Sequence, residues 1–269
     1  MSDITIVTAF FDIGRGDWSP DKGLPHYLQR TNDTYFERFS HLASLDNNMV
    51  IYTSQDLAER ISQYRIGKMD KTKIVCFDFA NAFDKERKII QTVQSNIEYR
   101  ANINPIQSKN PEYWSVDYVL VNYLKSSFVN HAINNGLVPD ELVAWLDFGY
   151  CRSKDILFGV TKWQYPFNKN LIHVFSIKNF KEGRMIQDII FNNDVHITGP
   201  HIIASKSMWP KLDIMINHHF LFLANSNLMD DDQTLLLMST LSNPEVFEVH
   251  KVSPNDWFVI FRDYNENIS

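Results

Sequence analysis

The chain alternates between short continuous apolar runs and longer stretches in which apolar residues recur every three or four positions. Residues 4–11 are an apolar run interrupted only by threonines, the pattern of a strand buried on both faces of a parallel sheet. Tyr35, Phe36, Phe39, Leu42 and Ala43 share one helical face, which predicts an amphipathic helix over about 31–45. A strand over 49–53, a helix over 57–64 and a strand over 73–79 follow. This β-α-β-α-β order predicts a Rossmann-like parallel sheet in the front half. Ile89, Ile90, Val93 and Ile97 suggest another helix, and residues 104–111 read as a loop. Val121, Leu124, Phe128 and Ala132 then line one face of a helix over 117–133, ended by Asn135-Gly136.

The next run is the most informative. Leu142, Val143, Ala144, Trp145 and Leu146 lead directly into Asp147-Phe148-Gly149-Tyr150. A buried parallel strand would deliver that carboxylate to its carboxyl end, where ligands of α/β sheets bind. The same pattern suits an Asp that caps the following turn. The back half is less regular. Residues 171–177 and 185–191 read as strands whose short connection, 179–183, suits antiparallel pairing. Helices are predicted over 209–223, with Pro210 near the start, and over 232–241, ended by Asn243-Pro244. Residues 246–249 and 257–261 read as final strands. No linker, repeat or low-complexity segment interrupts the chain, so 1–269 is read as one domain with a mixed, partly antiparallel back half.

Composition narrows the partners. The 269 residues carry 26 basic and 32 acidic side chains, a net charge of −6, which disfavours a broad nucleic-acid surface while leaving room for a local phosphate pocket. Cys76 and Cys151 are too far apart in sequence to suggest a disulfide framework or a CxxC metal site, and a reduced, cytoplasmic protein is expected. The start, Met1-Ser2-Asp3-Ile4-Thr5, lacks the basic opening of a signal peptide. No apolar run approaches the roughly 20 residues that span a bilayer. Service to a membrane pathway would therefore come from the cytoplasmic face, as a peripheral protein or through a protein partner.

Four groups of residues could carry chemistry. Gly14-Arg15-Gly16 follows the first strand; it suits close approach to a phosphate and equally suits a solvated turn. It is neither a GxGxxG fingerprint nor a Walker A loop. Lys125, at the border of its helix's apolar face, could neutralise a diphosphate or simply snorkel. Asp147 could hold a metal whose remaining ligands come from substrate phosphates, with Arg152 and Lys154 close behind in sequence. Asp230-Asp231-Asp232-Gln233 opens a helix, so N-capping explains one or two of the acids, and a third could serve as a general base. The adjacent His218 and His219 point to different helix faces and do not form a metal pair. His196 and His201 flank Thr198-Gly199-Pro200 and could touch a ligand. Ser54, Ser205 and Ser207 lack a G-x-S-x-G setting.

Thr8-Ala9-Phe10-Phe11-Asp12-Ile13-Gly14-Arg15, Met49-Val50-Ile51-Tyr52-Thr53, Tyr123-Leu124-Lys125-Ser126-Ser127-Phe128, Ala144-Trp145-Leu146-Asp147-Phe148-Gly149-Tyr150 and Asp230-Asp231-Asp232-Gln233 together resemble the HtrL/YibB family, also called WlaTB/HtrL/YibB. They come in the family's order over nearly the whole chain. Members occur near lipopolysaccharide and surface-glycan genes, and the family looks like a GT-A-type glycosyltransferase group. One similar domain, in a bifunctional O-antigen galactan polymerase, is a β-galactofuranosyltransferase using UDP-galactofuranose. The resemblance implies a GT-A-like α/β domain with a nucleotide-binding part (1–150) and an acceptor-binding part (151–269). It also implies inverting transfer from a UDP-sugar to a glycan or glycolipid hydroxyl. Under it, Ala9, Phe10 and Arg15 would hold the nucleotide, and Tyr52 and Thr53 would face the uracil or ribose. Lys125 and Arg152 would face the diphosphate, Asp147 would sit at the donor, and Asp231 or Asp232 would deprotonate the acceptor. Asp147-Phe148-Gly149 departs from the usual Asp-x-Asp, which leaves Mn²⁺ or Mg²⁺ dependence and a metal-independent mechanism both open. A nucleotide-binding protein without turnover and a nucleotidyltransferase are the competing readings.

Overall fold

A computed structural model describes residues 2–181 and 183–266. Met1, Glu182 in the 179–183 connection, and 267–269 lie outside the described residues. The strands are β1 (Ile4–Phe10), β2 (Met49–Thr53), β3 (Thr72–Cys76), β4 (Leu142–Leu146), β5 (Ile172–Ser176), β6 (Ile197–Ser205) and β7 (Phe247–Lys251). The helices are α1 (Asn32–Leu42), α2 (Gln55–Tyr64), α3 (Asp84–Gln94), α4 (Ile97–Asn102), α5 (Val116–Tyr123), α6 (Lys125–Asn134), α7 (Ile186–Asn192), α8 (Trp209–Asn225), α9 (Asp232–Ser242) and α10 (Ile260–Asp263). None of the described helices is long and apolar enough to cross a membrane.

All seven strands join one sheet in the order β3-β2-β1-β4-β6-β5-β7. β3, β2, β1 and β4 run parallel. β6 is antiparallel to both β4 and β5, and β7 is parallel to β5. This is the expected α/β architecture, with a Rossmann-like parallel front half and a partly antiparallel back half. Strand periodicity splits the core into two layers. Val7, Val143 and Trp145 pack on one side with Phe128, Trp209 and Leu236. Ile4, Ile6, Ala144 and Leu146 pack on the other with Phe36, Phe39 and Trp163. β1, β2 and β4 are buried along their whole length, so they read as continuous apolar runs.

Three sequence expectations are corrected. Residues 185–191 are not a strand: Ile186–Asn192 is α7, and Ile186, Ile189 and Ile190 follow helical spacing, with Ile189 and Ile190 buried. The antiparallel partner of β5 is therefore β6. Residues 257–261 are not a strand either. The chain turns into α10, where the Ile260 amide donates to the Tyr150 hydroxyl at 3.2 Å. Finally, the helix over 117–133 is two helices that meet at Leu124, which ends α5 and begins α6. Lys125 is thus the first residue of α6.

Arg65 holds the back of the first crossover together. Its side chain is fully buried, and burial pulls its pKa down to about 10. It donates to the Ala43, Leu45 and Asn47 carbonyls at 2.9, 2.6 and 2.9 Å, and to the Thr72 hydroxyl at 2.8 Å. Asn47 extends the lock, donating to the Ile4 and Trp163 carbonyls and accepting from the Trp163 amide. Arg65→Met would strand three buried carbonyls, each of which is costly to leave unpaired. We expect it to lower unfolding free energy by about 3 kcal/mol, read as a lower urea midpoint at unchanged slope. An unchanged midpoint would show that these loops hold without the guanidinium.

Candidate functional site

A cleft of about 250 Å³ opens at the carboxyl ends of β1 and β4. This is the topological switch point: the connections from β1 and from β3 diverge to opposite sides of the sheet there. Ala9, Phe10, Arg15, Lys125, Asp147, Arg152, Asp231 and Asp232 all line it. The fold thus brings eight of the residues singled out in the sequence to one place.

Lys125 is the centre of the arrangement. Its Nζ lies 2.8 Å from Asp232 Oδ2, 3.0 Å from Asp147 Oδ1 and 3.0 Å from the Gly199 carbonyl. The side chain is 6% exposed, so it does not snorkel. Burial alone would lower its pKa, but Asp147 and Asp232 more than offset this and raise it above the ordinary lysine value. A cation at a helix N-terminus opposes the helix dipole, and the two carboxylates offset that penalty as well. Asp147 Oδ1 also accepts from Trp145 Nε1 at 2.9 Å, while its side chain remains 38% exposed to the cleft. The Asp147 amide donates to the Pro200 carbonyl at 2.9 Å, stitching the end of β4 to β6.

Two glycines make this packing feasible. A Cβ on Gly199, within β6, would overlap the Asp232 carboxylate. Glycine inside a strand marks close approach of another group, here the Asp232 carboxylate. A Cβ on Gly149 would meet the Tyr35 ring at 3.2 Å and Arg38 Cδ at 3.6 Å. Gly149 stands where an Asp-x-Asp motif has its second acid, so Tyr35 and Arg38 fill the space that acid would need. Divalent Mn²⁺ or Mg²⁺ requires several hard oxygen ligands. Here an ammonium already lies between Asp147 and Asp232, so the residues do not fit a divalent ion bridging those two carboxylates.

The three consecutive acids do different work. Asp230 accepts from the Asp231 amide at 2.9 Å and from Thr234 Oγ1 at 2.6 Å. Asp231 caps α9 by accepting from the Gln233 amide at 3.0 Å. Asp232 pairs with Lys125. Burial pushes all three carboxyls up, Asp230 to about 6 and Asp231 further above the usual range; the neighbouring acids add to the rise. Lys125 draws Asp232 partly back down. Glu112 joins the cluster from below, its buried Oε2 without a partner and its pKa raised to about 8 by burial and Asp230.

Arg15 is held more tightly than its glycine-flanked setting suggested. It donates to the Tyr35 hydroxyl at 2.7 Å and the Leu28 carbonyl at 3.2 Å, with Trp18 and Tyr118 rings 5.0 and 5.7 Å from its guanidinium. The open positive charge belongs instead to Arg30, Arg38 and Arg152. Among the described residues, no carboxylate lies within 4.0 Å of these three guanidinium groups. Arg152 sits at the rim with its guanidinium 4.4 Å from the Phe258 ring. The protein around it, and then the charges of Arg30 and Arg38, pull its pKa down to about 10. Sequence reading missed Arg30 and Arg38. They flank and ride on α1, where isolated arginines look like ordinary surface charge.

Tyr52 and Thr53 lie away from the cleft. The Tyr52 hydroxyl bonds His131 Nδ1 at 2.7 Å and its ring packs on Phe128, while Thr53 Oγ1 donates to the Phe10 carbonyl at 2.9 Å. Both are fully covered because the cleft opens between β1 and β4 and not beyond β2. His196 and His201 are also buried outside it, His201 against Phe175 and Tyr150, while Gly199 and Pro200 between them do line the cleft.

A mouse xyloside xylosyltransferase 1 structure, in its apo form, aligns with 93% of this chain and 85% of its own at 12% identity and a TM-score of 0.45. Protein HtrL of Escherichia coli strain K12 is 39% identical over 269 residues, covering 99% of this chain and 94% of that protein. The family model described as "Bacterial protein of unknown function (HtrL_YibB)" matches residues 2–266. The chain belongs to the HtrL_YibB family.

Proposed function

We propose that this protein is an inverting glycosyltransferase that moves a sugar from a UDP-sugar to a hydroxyl of a surface-glycan or glycolipid acceptor. The observation that carries the reading is the cleft's division of charge. Among the described residues, Arg30, Arg38 and Arg152 have no carboxylate partner, whereas Lys125 is committed to Asp147 and Asp232. Guanidinium forks match phosphate oxygens, and a diphosphate among them would relieve their mutual repulsion. Galactofuranose, the sugar of the similar O-antigen polymerase domain, is the donor sugar to try first.

Asp231 is the proposed general base. It lines the cleft, and burial with the neighbouring acids raises its pKa above the ordinary carboxylate range, which makes it a stronger base. Asp232 is the poorer base because Lys125 holds its Oδ2; its role is to position Lys125. In the proposed step, Asp231 takes the acceptor hydroxyl proton as that oxygen bonds the anomeric carbon. The bond from that carbon to the diphosphate oxygen breaks, and UDP leaves with the electron pair. The arginines stabilise the growing negative charge, and no metal ion is needed at Asp147.

UDP should stabilise the wild type with or without chelator, by roughly 2.7 kcal/mol at a hundred times its dissociation constant. Arg38→Ala and Arg152→Ala should each weaken UDP binding about tenfold, the loss of a charged hydrogen bond. No response to UDP, or strict dependence on Mn²⁺, would refute this account of the cleft.

Asp231→Asn should keep UDP affinity while slowing sugar transfer by at least about 100-fold. In the wild type, the base must be unprotonated to act. Transfer should therefore rise with pH through the raised pKa of Asp231, above the ordinary carboxylate range. Undiminished transfer by Asp231→Asn would move the base elsewhere.

A further inference from the structure

A second cluster lies at the opposite edge of the sheet, outside the cleft. The β5–β7 register sets His173 beside Glu248, and His250 follows two residues along β7 on the same face. The His173 imidazole is 1% exposed, and its Nε2 lies 3.0 Å from the Asn168 carbonyl. A carbonyl only accepts, so Nε2 carries the hydrogen and Nδ1 presents a lone pair. That lone pair meets His250 Nε2 at 2.9 Å and Glu248 Oε2 at 3.4 Å. All three candidate ligand atoms lie within 4.8 Å of one another.

We propose that His173 Nδ1, His250 Nε2 and a Glu248 carboxylate oxygen bind one divalent transition-metal ion of the Zn²⁺ class. Ligands about 2.0–2.1 Å from a tetrahedral ion stand roughly 3.3 Å apart, and the two measured contacts bracket that spacing. The ion takes the place of the hydrogen that His250 Nε2 otherwise gives His173, and His250 then carries its hydrogen on Nδ1. The Asn168 carbonyl is the kind of outer partner that fixes the tautomer of a ligating histidine. Two imidazoles and one carboxylate favour Zn²⁺ over Mg²⁺ or Ca²⁺, which prefer oxygen. Glu248 is 44% exposed, so water can reach the fourth position.

The location gives such an ion a structural consequence. β7 is the edge strand, and the segment after it carries Trp257 and Phe258 to the cleft wall. An ion joining β7 to β5 would steady that segment without entering the cleft.

The test is titration of the chelator-stripped full chain with Zn²⁺ by calorimetry, and with Co²⁺ by visible absorption. One equivalent should bind, Co²⁺ should give the intense visible bands of a tetrahedral site, and Zn²⁺ should raise the melting temperature. His250→Gln and His173→Gln should each weaken Zn²⁺ at least about tenfold. Glu248→Gln, at a half-exposed position, should keep the metal-free melting temperature and still lose affinity. Absence of Zn²⁺ binding, or binding unchanged in Glu248→Gln and His250→Gln, would overturn the assignment. UDP binding in the cleft is read separately and does not depend on either result.

Discussion

The Lys125 ion pairs are the constraint around which the cleft is organised. They join the start of α6, the end of β4, the start of β6 and the start of α9 through one nitrogen atom. A buried ammonium is tolerated only if it is paired and hydrogen-bonded, and removing one partner leaves an uncompensated charge. Lys125 therefore fixes the relative positions of four elements that meet at the junction of the parallel and antiparallel halves.

The glycines follow from that geometry. Gly199 lets the Asp232 carboxylate lie against the β6 backbone, and Gly149 lets Tyr35 and Arg38 lie against the turn after β4. Tyr35 in turn accepts from Arg15, so the loop after β1 is tied to the turn after β4. The departure from Asp-x-Asp is thus a packing consequence. The room a second acid would occupy holds an aromatic ring and an arginine stem.

Much of this was legible in the sequence where the signal is local and periodic. Strands buried on both faces announce themselves as apolar runs, which is why β1, β2 and β4, and with β4 the strand-end position of Asp147, could be read. The errors lie where periodicity is short. Residues 185–191 contain enough isoleucine and phenylalanine to look like a strand, and only the spacing of Ile186, Ile189 and Ile190 marks α7. Residues 257–261 are aromatic because Phe258 and Phe261 pack against Tyr150, not because they extend. Tyr52 and Thr53 were assigned by position at a strand end, but the cleft depends on strand order, which the pairing of β1 with β4 determines. Arg30 and Arg38 were invisible because a lone arginine near a helix start gains meaning only from what it faces.

The charge arithmetic of the cleft bears on the proposed chemistry. One ammonium set against two carboxylates leaves Lys125, Asp147 and Asp232 with no surplus positive charge to offer a leaving diphosphate. A divalent ion on the same two acids would neutralise them fully and still bind phosphate oxygens. In the proposed mechanism the two tasks are divided: lysine is paired with the acids, and the arginine group is assigned to the phosphates. Lysine is a point charge suited to sitting between carboxylates, whereas arginine is a planar fork suited to phosphate. A guanidinium at 125 would not fit between Asp147, Asp232 and the Gly199 carbonyl with the same three contacts. Ammoniums at 38 and 152 would lose the fork that makes phosphate binding directional. The residue types, and not merely their charges, therefore separate the structural cations of the cleft from those proposed to bind substrate.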